Sequence, residues 1–129
     1  MKVVLLEDEK LASDHLKNLL YNIDADIEVL AVLDSVKSGI VWFLTHDEPD
    51  LVFMDIQVGD GLSFEIFDAI SLQCPIVFTT AFDEYALQAF KVNSVDYILK
   101  PVEKEEVNNA LKKMKTLSQT NASNAFRHI

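Results

Sequence analysis

Five short and almost uninterrupted apolar runs constrain this chain more than any other feature: Val3–Leu6, Ile27–Leu33, Leu51–Met54, Ile76–Thr79 and Val95–Leu99. A strand covered on one face alternates apolar and polar residues. A strand covered on both faces does not, and that is the pattern of a parallel sheet. Between the runs lie segments of helical period. Leu11–Asn22 carries Ala12, Leu16, Leu19 and Leu20, and the second segment carries Val36, Ile40, Phe43 and Leu44. The third, around Leu62–Ile70, is short, with Leu62, Ile66 and Ile70 four apart. The fourth has Phe82, Tyr85, Ala86, Ala89 and Phe90, and the fifth has Val107, Ala110, Leu111, Met114 and Leu117. These spacings each lay a stripe on one helix face. Ser35 and Asp83 stand where N-caps of the second and fourth helices belong. The links are brief and rich in Asp, Pro and Gly, as in Glu48-Pro49-Asp50, Gly59-Asp60-Gly61 and Lys100-Pro101. Five βα units in succession predict a doubly wound α/β fold on a five-stranded parallel sheet.

A chain of 129 residues, half of them apolar, is the size of one domain with one sizeable core. No apolar run approaches the length of a membrane helix. The start, MKVVLLEDE, turns acidic without a cleavage site, which argues against a signal peptide and for a cytoplasmic location. Net charge is −10 and Arg127 is the only arginine, so direct contact of this domain with nucleic acid is not expected. Cys74 is the single cysteine; it excludes an internal disulfide and reads as a buried structural thiol. The domain is drawn over 1–117. Residues 118–129, SQTNASNAFRHI, lack a helical stripe and read as a polar tail, either a frayed end or the start of a linker.

In open parallel α/β sheets, ligands bind beyond the carboxyl ends of the strands, where the strand order reverses. The first run ends at Glu7-Asp8-Glu9, the third at Asp55, the fourth at Thr79-Thr80 and the fifth at Lys100-Pro101. Each feature alone has an ordinary structural explanation: an acidic first helical turn, a turn aspartate, a strand-end threonine, a turn pair. Their coincidence on one sheet edge does not. Crowded carboxylates stay ionised only beside a cation, and hard oxygen donors suit Mg²⁺. An exposed carboxylate next to a metal is a competent nucleophile toward phosphorus. A lysine and a hydroxyl are what a transferring phosphoryl group needs around it.

Glu7-Asp8, Asp55, Thr80-Ala81, Tyr97 and Lys100-Pro101 together resemble, in order and spacing, the signature of response regulator receiver domains. The resemblance covers residues 1 to about 117. Val77–Pro101 is most similar to receivers that precede a LytTR-type DNA-binding output domain. It implies a flavodoxin-like (βα)₅ fold of strand order 2-1-3-4-5. Asp55 is then the phosphoacceptor. Asp8 and Asp55 ligate Mg²⁺ with the backbone carbonyl of Gln57, and Glu7 acts through a metal-bound water. Lys100 pairs with the phosphoryl group, next to a cis bond to Pro101. Thr80 and Tyr97 form the switch pair that alters the surface of the fourth helix, fifth strand and fifth helix. The implied partners are a sensor histidine kinase and a C-terminal DNA-binding output domain. The helical face around Phe90, Lys91 and Asn108 could pair in a homodimer.

One departure stands out. Val58-Gly59 replaces the family's usual Met-Pro after the phosphoacceptor, and Gly61 comes only six residues past Asp55, so the loop reads about two residues short. Gln57 and Phe82 flank the phosphoryl position, each two residues past a site residue. Bulky Phe82 restricts an attacking water, which predicts a long-lived phosphoryl group. Two other readings stay open: a receiver that works by binding without phosphorylation, and an aspartyl-nucleophile phosphatase of the haloacid-dehalogenase kind. The second needs an aspartate where Gln57 stands. No P-loop or flavin-type loop is present. His15, His46 and His128 are too scattered to suggest a site.

Overall fold

The computed structural model describes residues 1–82, 85, 89, 92 and 94–127, with 117–127 as backbone. Five strands form the parallel sheet: β1 (Lys2–Leu6), β2 (Glu28–Leu33), β3 (Leu51–Asp55), β6 (Ile76–Thr80) and β7 (Ser94–Leu99). A separate two-stranded hairpin, β4 (Gln57–Val58) and β5 (Gly61–Leu62), follows β3. The sheet order is β2-β1-β3-β6-β7, which is the predicted 2-1-3-4-5 order of the five apolar runs. The chain leaves β1 for β2 on one side and crosses to β3 on the other, so the switch point lies at the β1–β3 edge.

The inner strands are apolar throughout because both faces are covered. Val3, Val4, Leu51, Val52, Met54, Ile76, Val77 and Phe78 have no exposed surface. Helices α1 (Lys10–Ile23) and α4 (Lys104–Arg127) pack on one face, where Leu16, Leu20, Val107, Ala110 and Leu111 meet Val3, Leu5 and Phe53. Helices α2 (Val36–Thr45) and α3 (Glu65–Ala69) cover the other through Val36, Phe43 and Ile66, against Leu6, Met54 and Phe78.

Ser35 caps α2 as its sequence position predicts. Its hydroxyl accepts from Ser38 N–H at 3.0 Å, and Ser38 Oγ accepts in return from Ser35 N–H at 3.2 Å. Asp60 reinforces this end from the hairpin, accepting from Val36 N–H at 2.7 Å and Lys37 N–H at 3.1 Å. Those amide donors lower the Asp60 pKa.

Two expectations need correction. The third segment is helical only over Glu65–Ala69, because Leu62 is tied into the hairpin opposite Gln57. The last segment does not fray at residue 117; α4 is a single helix of 24 residues to Arg127. Its polar composition carries no stripe there, yet neither Gly nor Pro occurs after 117 to break the helix. Most of the fourth segment, with Asp83, Ala86, Phe90 and Lys91, lies outside the described residues. Within it, Ala89 N–H donates to Tyr85 C=O at 3.0 Å, and Ala89 is buried.

Gly61 has φ of +151°, a region that disfavours any side chain, and a Cβ there would collide with the Glu65 carboxylate. That carboxylate accepts from Leu62 N–H at 2.9 Å. Gly61→Ala should therefore lower stability by about 1–3 kcal/mol. A urea titration should show a lower midpoint at unchanged slope; an unchanged midpoint would contradict this account.

Candidate functional site

β1, β3, β6 and β7 end side by side, and their last residues converge. The ladder carries on past β1 and β7: Glu7 N–H donates to Leu33 C=O at 2.8 Å, and Lys100 N–H to Thr80 C=O at 2.7 Å. Asp55 lies in register with Thr79. This backbone scaffold fixes the side chains that follow.

Glu7, Asp8 and Asp55 each bring a carboxylate oxygen within 4.8 Å of the others. Glu7 and Asp55 are buried at 7% and 6% exposure, while Asp8 is exposed. Lys100 reaches into the trio. Its Nζ donates to Glu7 Oε1 at 2.6 Å and to Asp55 Oδ2 at 3.1 Å. Burial opposes the lysine charge, but the Glu7 hydrogen bond and the Asp55 charge outweigh it and raise the Lys100 pKa. Asp55 is pushed the other way from an ordinary ion-paired aspartate. Burial and the neighbouring Glu7 charge lift its pKa from 3.8 to about 6, against the pull of Lys100. Asp8 is raised as well, by desolvation first, with Glu7 adding to it. One lysine thus does not satisfy three carboxylates, and a further cation fits the donor set.

The trio opens into a cleft of about 440 Å³ lined by Asp8, Asp55, Gln57, Thr80, Phe82 and Lys100, among others. Thr80 is almost wholly buried. Its Oγ1 accepts from Phe82 N–H at 3.2 Å, while the Tyr97 hydroxyl donates to Phe82 C=O. Both members of the expected switch pair therefore hold the backbone of one residue, Phe82, from its two sides. The Lys100-Pro101 peptide bond is cis.

The predicted residues Glu7, Asp8, Asp55, Gln57, Thr80 and Lys100 all meet here, with Tyr97 one contact away through Phe82. Two participants escaped sequence reasoning. Tyr85 looked like part of a helical stripe, but its hydroxyl accepts from Gln57 Nε2 at 3.0 Å. Asp60 looked like a turn residue, but it anchors the loop after Asp55 to α2. His15 and His46 have local roles: His15 Nε2 lies 2.9 Å from Val102 C=O, and the His46 ring stacks on Trp42. His128 lies outside the described residues. Cys74 is buried, and burial first, then Glu48, pushes its thiol up to about 12. Among the described residues no helix is long and apolar enough to cross a membrane.

A doubly wound sheet with an acidic trio and a lysine at its switch point defines the class: an α/β protein whose polar site lies at the carboxyl ends of its parallel strands. The chain belongs to the response regulator receiver domain family, whose model matches residues 3–112. It is 42% identical over 123 residues to the sensory transduction protein LytT of Bacillus anthracis, covering 93% of this chain and 49% of that protein. It is 38% identical over 135 residues to LytR of Streptococcus agalactiae, covering 100% of this chain and 54% of that protein. The chain thus spans about half the length of the curated relatives it matches. The crystal structure of the response regulatory domain of MrkE from Klebsiella pneumoniae superposes with a TM-score of 0.76 at 34% identity, covering 93% of this chain and 99% of that one. The response regulator PhyR from Brucella abortus superposes with a TM-score of 0.82, and at 20% identity it supports the fold alone.

Proposed function

We propose that this receiver is a phosphorylation-controlled switch in which Asp55 accepts a phosphoryl group from a histidine kinase in the cytoplasm. The observation that carries the reading is the packing of Glu7, Asp8 and Asp55 within 4.8 Å, with Lys100 bridging two of them. An Asp55 oxygen attacks phosphorus; the new O–P bond forms as the P–N bond to the donor histidine breaks, and the imidazole keeps the electron pair. Lys100 is placed to transfer its contact from Asp55 to the incoming phosphoryl oxygens. The buried Thr80 hydroxyl is placed to donate to another of them.

The carboxylate trio fits Mg²⁺ in donor type. Asp8, Asp55 and the Gln57 carbonyl would hold it, with Glu7 acting through a water. When bound, the ion supplies positive charge to the carboxylates and to the phosphoryl oxygens. Phosphorylation draws Thr80 inward, which disturbs the Phe82 backbone shared with Tyr97 and so alters the surface around β7 and α4. In the full-length protein that surface controls a C-terminal DNA-binding output domain, a reading supported by the roughly doubled length of the LytT and LytR relatives. The same face could mediate a homodimer; its Phe90 and Lys91 lie outside the described residues.

Incubation with a small phosphodonor and Mg²⁺, followed by intact mass measurement, tests the reading. The expected result is a gain of one phosphoryl group that disappears in Asp55→Asn. No gain would favour a module that works by binding alone. Continuous release of phosphate over many turnovers would favour a phosphatase.

A further inference from the structure

Gln57 forms part of one wall of the Asp55 cleft, and its exposed side chain reaches toward the segment that follows the opposite wall. There its Nε2 donates to the Tyr85 hydroxyl at 3.0 Å. The two ends of this bond are held differently. The Tyr85 ring belongs to the packed face that includes Phe78 and Ile66. It lies at a 6.2 Å centroid distance from Phe64, which in turn packs on Phe78 at 5.2 Å. The hydroxyl is therefore carried on a partly buried ring held by aromatic packing. Among the described residues, the Gln57 carboxamide is held by this one bond, two residues from Asp55.

A primary carboxamide both donates and accepts hydrogen bonds. Turned into the cleft, it can hold a water against the phosphorus of an Asp55 acyl phosphate. That water would then attack phosphorus, the bond between phosphorus and the Asp55 oxygen would break, the carboxylate would leave with the electron pair, and the water proton would pass to solvent. Committed to Tyr85, the same amide cannot orient a water there. We propose that Tyr85 is a positioning residue that parks the Gln57 side chain and so lengthens the life of the phosphorylated state. This rests on Asp55 being phosphorylated, as proposed above. It adds a named residue, outside the cleft lining, that sets the duration of the signal.

Three variants of the whole chain test it: Tyr85→Phe, which keeps the ring, Gln57→Ala, which keeps the backbone carbonyl, and the double variant. In Tyr85→Phe the acyl phosphate should decay about three- to tenfold faster. Gln57→Ala and the double variant should decay at the same rate within about twofold, because Tyr85 acts only through the amide. In the metal-free, unphosphorylated protein, the Gln57 side-chain NH₂ resonances should shift toward exposed-amide values on Tyr85→Phe. The proposal is overturned if Tyr85→Phe leaves the decay unchanged, if it accelerates decay equally in the Gln57→Ala background, or if the amide resonances do not move. Should the parent chain take up no phosphoryl group, the phosphoacceptor reading fails, and the resonance measurement still decides whether Tyr85 holds Gln57.

Discussion

Replacing Lys100 by methionine is expected to slow phosphorylation of Asp55 by roughly 10²–10³-fold, the usual cost of removing one preorganised charge partner from a developing anion. The same substitution should tighten Mg²⁺ binding. Lys100 occupies oxygens of Glu7 and Asp55, two members of the trio proposed to hold the metal, directly or through a water. Ammonium and metal therefore compete for one set of charges, and removing the ammonium leaves a more negative site. In chelator the variant should lose about 1–3 kcal/mol of stability, since two buried carboxylates then face each other without a cation. Mg²⁺ should restore more of that loss than it adds to the parent chain. Thermal melts with and without Mg²⁺, together with a metal titration, separate these effects. Slower phosphorylation with weaker metal binding would mean that Lys100 supports the site structurally rather than competing within it.

The route from sequence to site was short because the strands do most of the placing. Apolar runs identified the five strands, of which β1, β3 and β6 are covered on both faces while edge strand β2 leaves Leu30 and Val32 exposed, and the residue after each run was thereby assigned to one end of the sheet. Glu7, Asp8, Asp55, Thr80 and Lys100 could be grouped without a single helix boundary being right. What was not legible depends on side chains crossing between elements. The segment Val58–Gly61 reads as a shortened loop, yet Gly59-Asp60 turns it into a hairpin pinned at three places: Asp60 on the N-terminus of α2, Gly61 under Glu65, and Gln57 on Tyr85. No local pattern announces these bonds, which join residues up to 28 positions apart. The α4 extension to Arg127 was missed for a different reason. An amphipathic stripe signals a helix that packs, and it is silent about one that continues beyond what it packs on.

The electrostatics of Asp55 lead to the second large effect. An aspartate whose folded pKa is lifted from 3.8 to about 6 binds its proton more tightly in the native state than in the unfolded one. Below the unfolded value both states hold the proton and the group is neutral to stability. As pH rises from about 4 to about 6 the native state must give it up at a cost, so stability falls across that window and levels off above it. At neutral pH the accumulated penalty is on the order of 2–3 kcal/mol, with little screening because the carboxylate is buried. Asp55→Asn presents a neutral side chain of nearly the same shape. In chelator at pH 7.5 it should raise the melting temperature by several degrees, while at pH 4 the variant and the parent should coincide. Mg²⁺ should stabilise the parent strongly and the variant little, closing the gap from the other side. The Asp55 carboxylate is then held at the expense of the metal-free fold, and a bound cation relieves that cost. A parent chain already as stable as Asp55→Asn at pH 7.5 in chelator would show that Lys100 alone neutralises the trio, and that the site has no standing demand for a second cation.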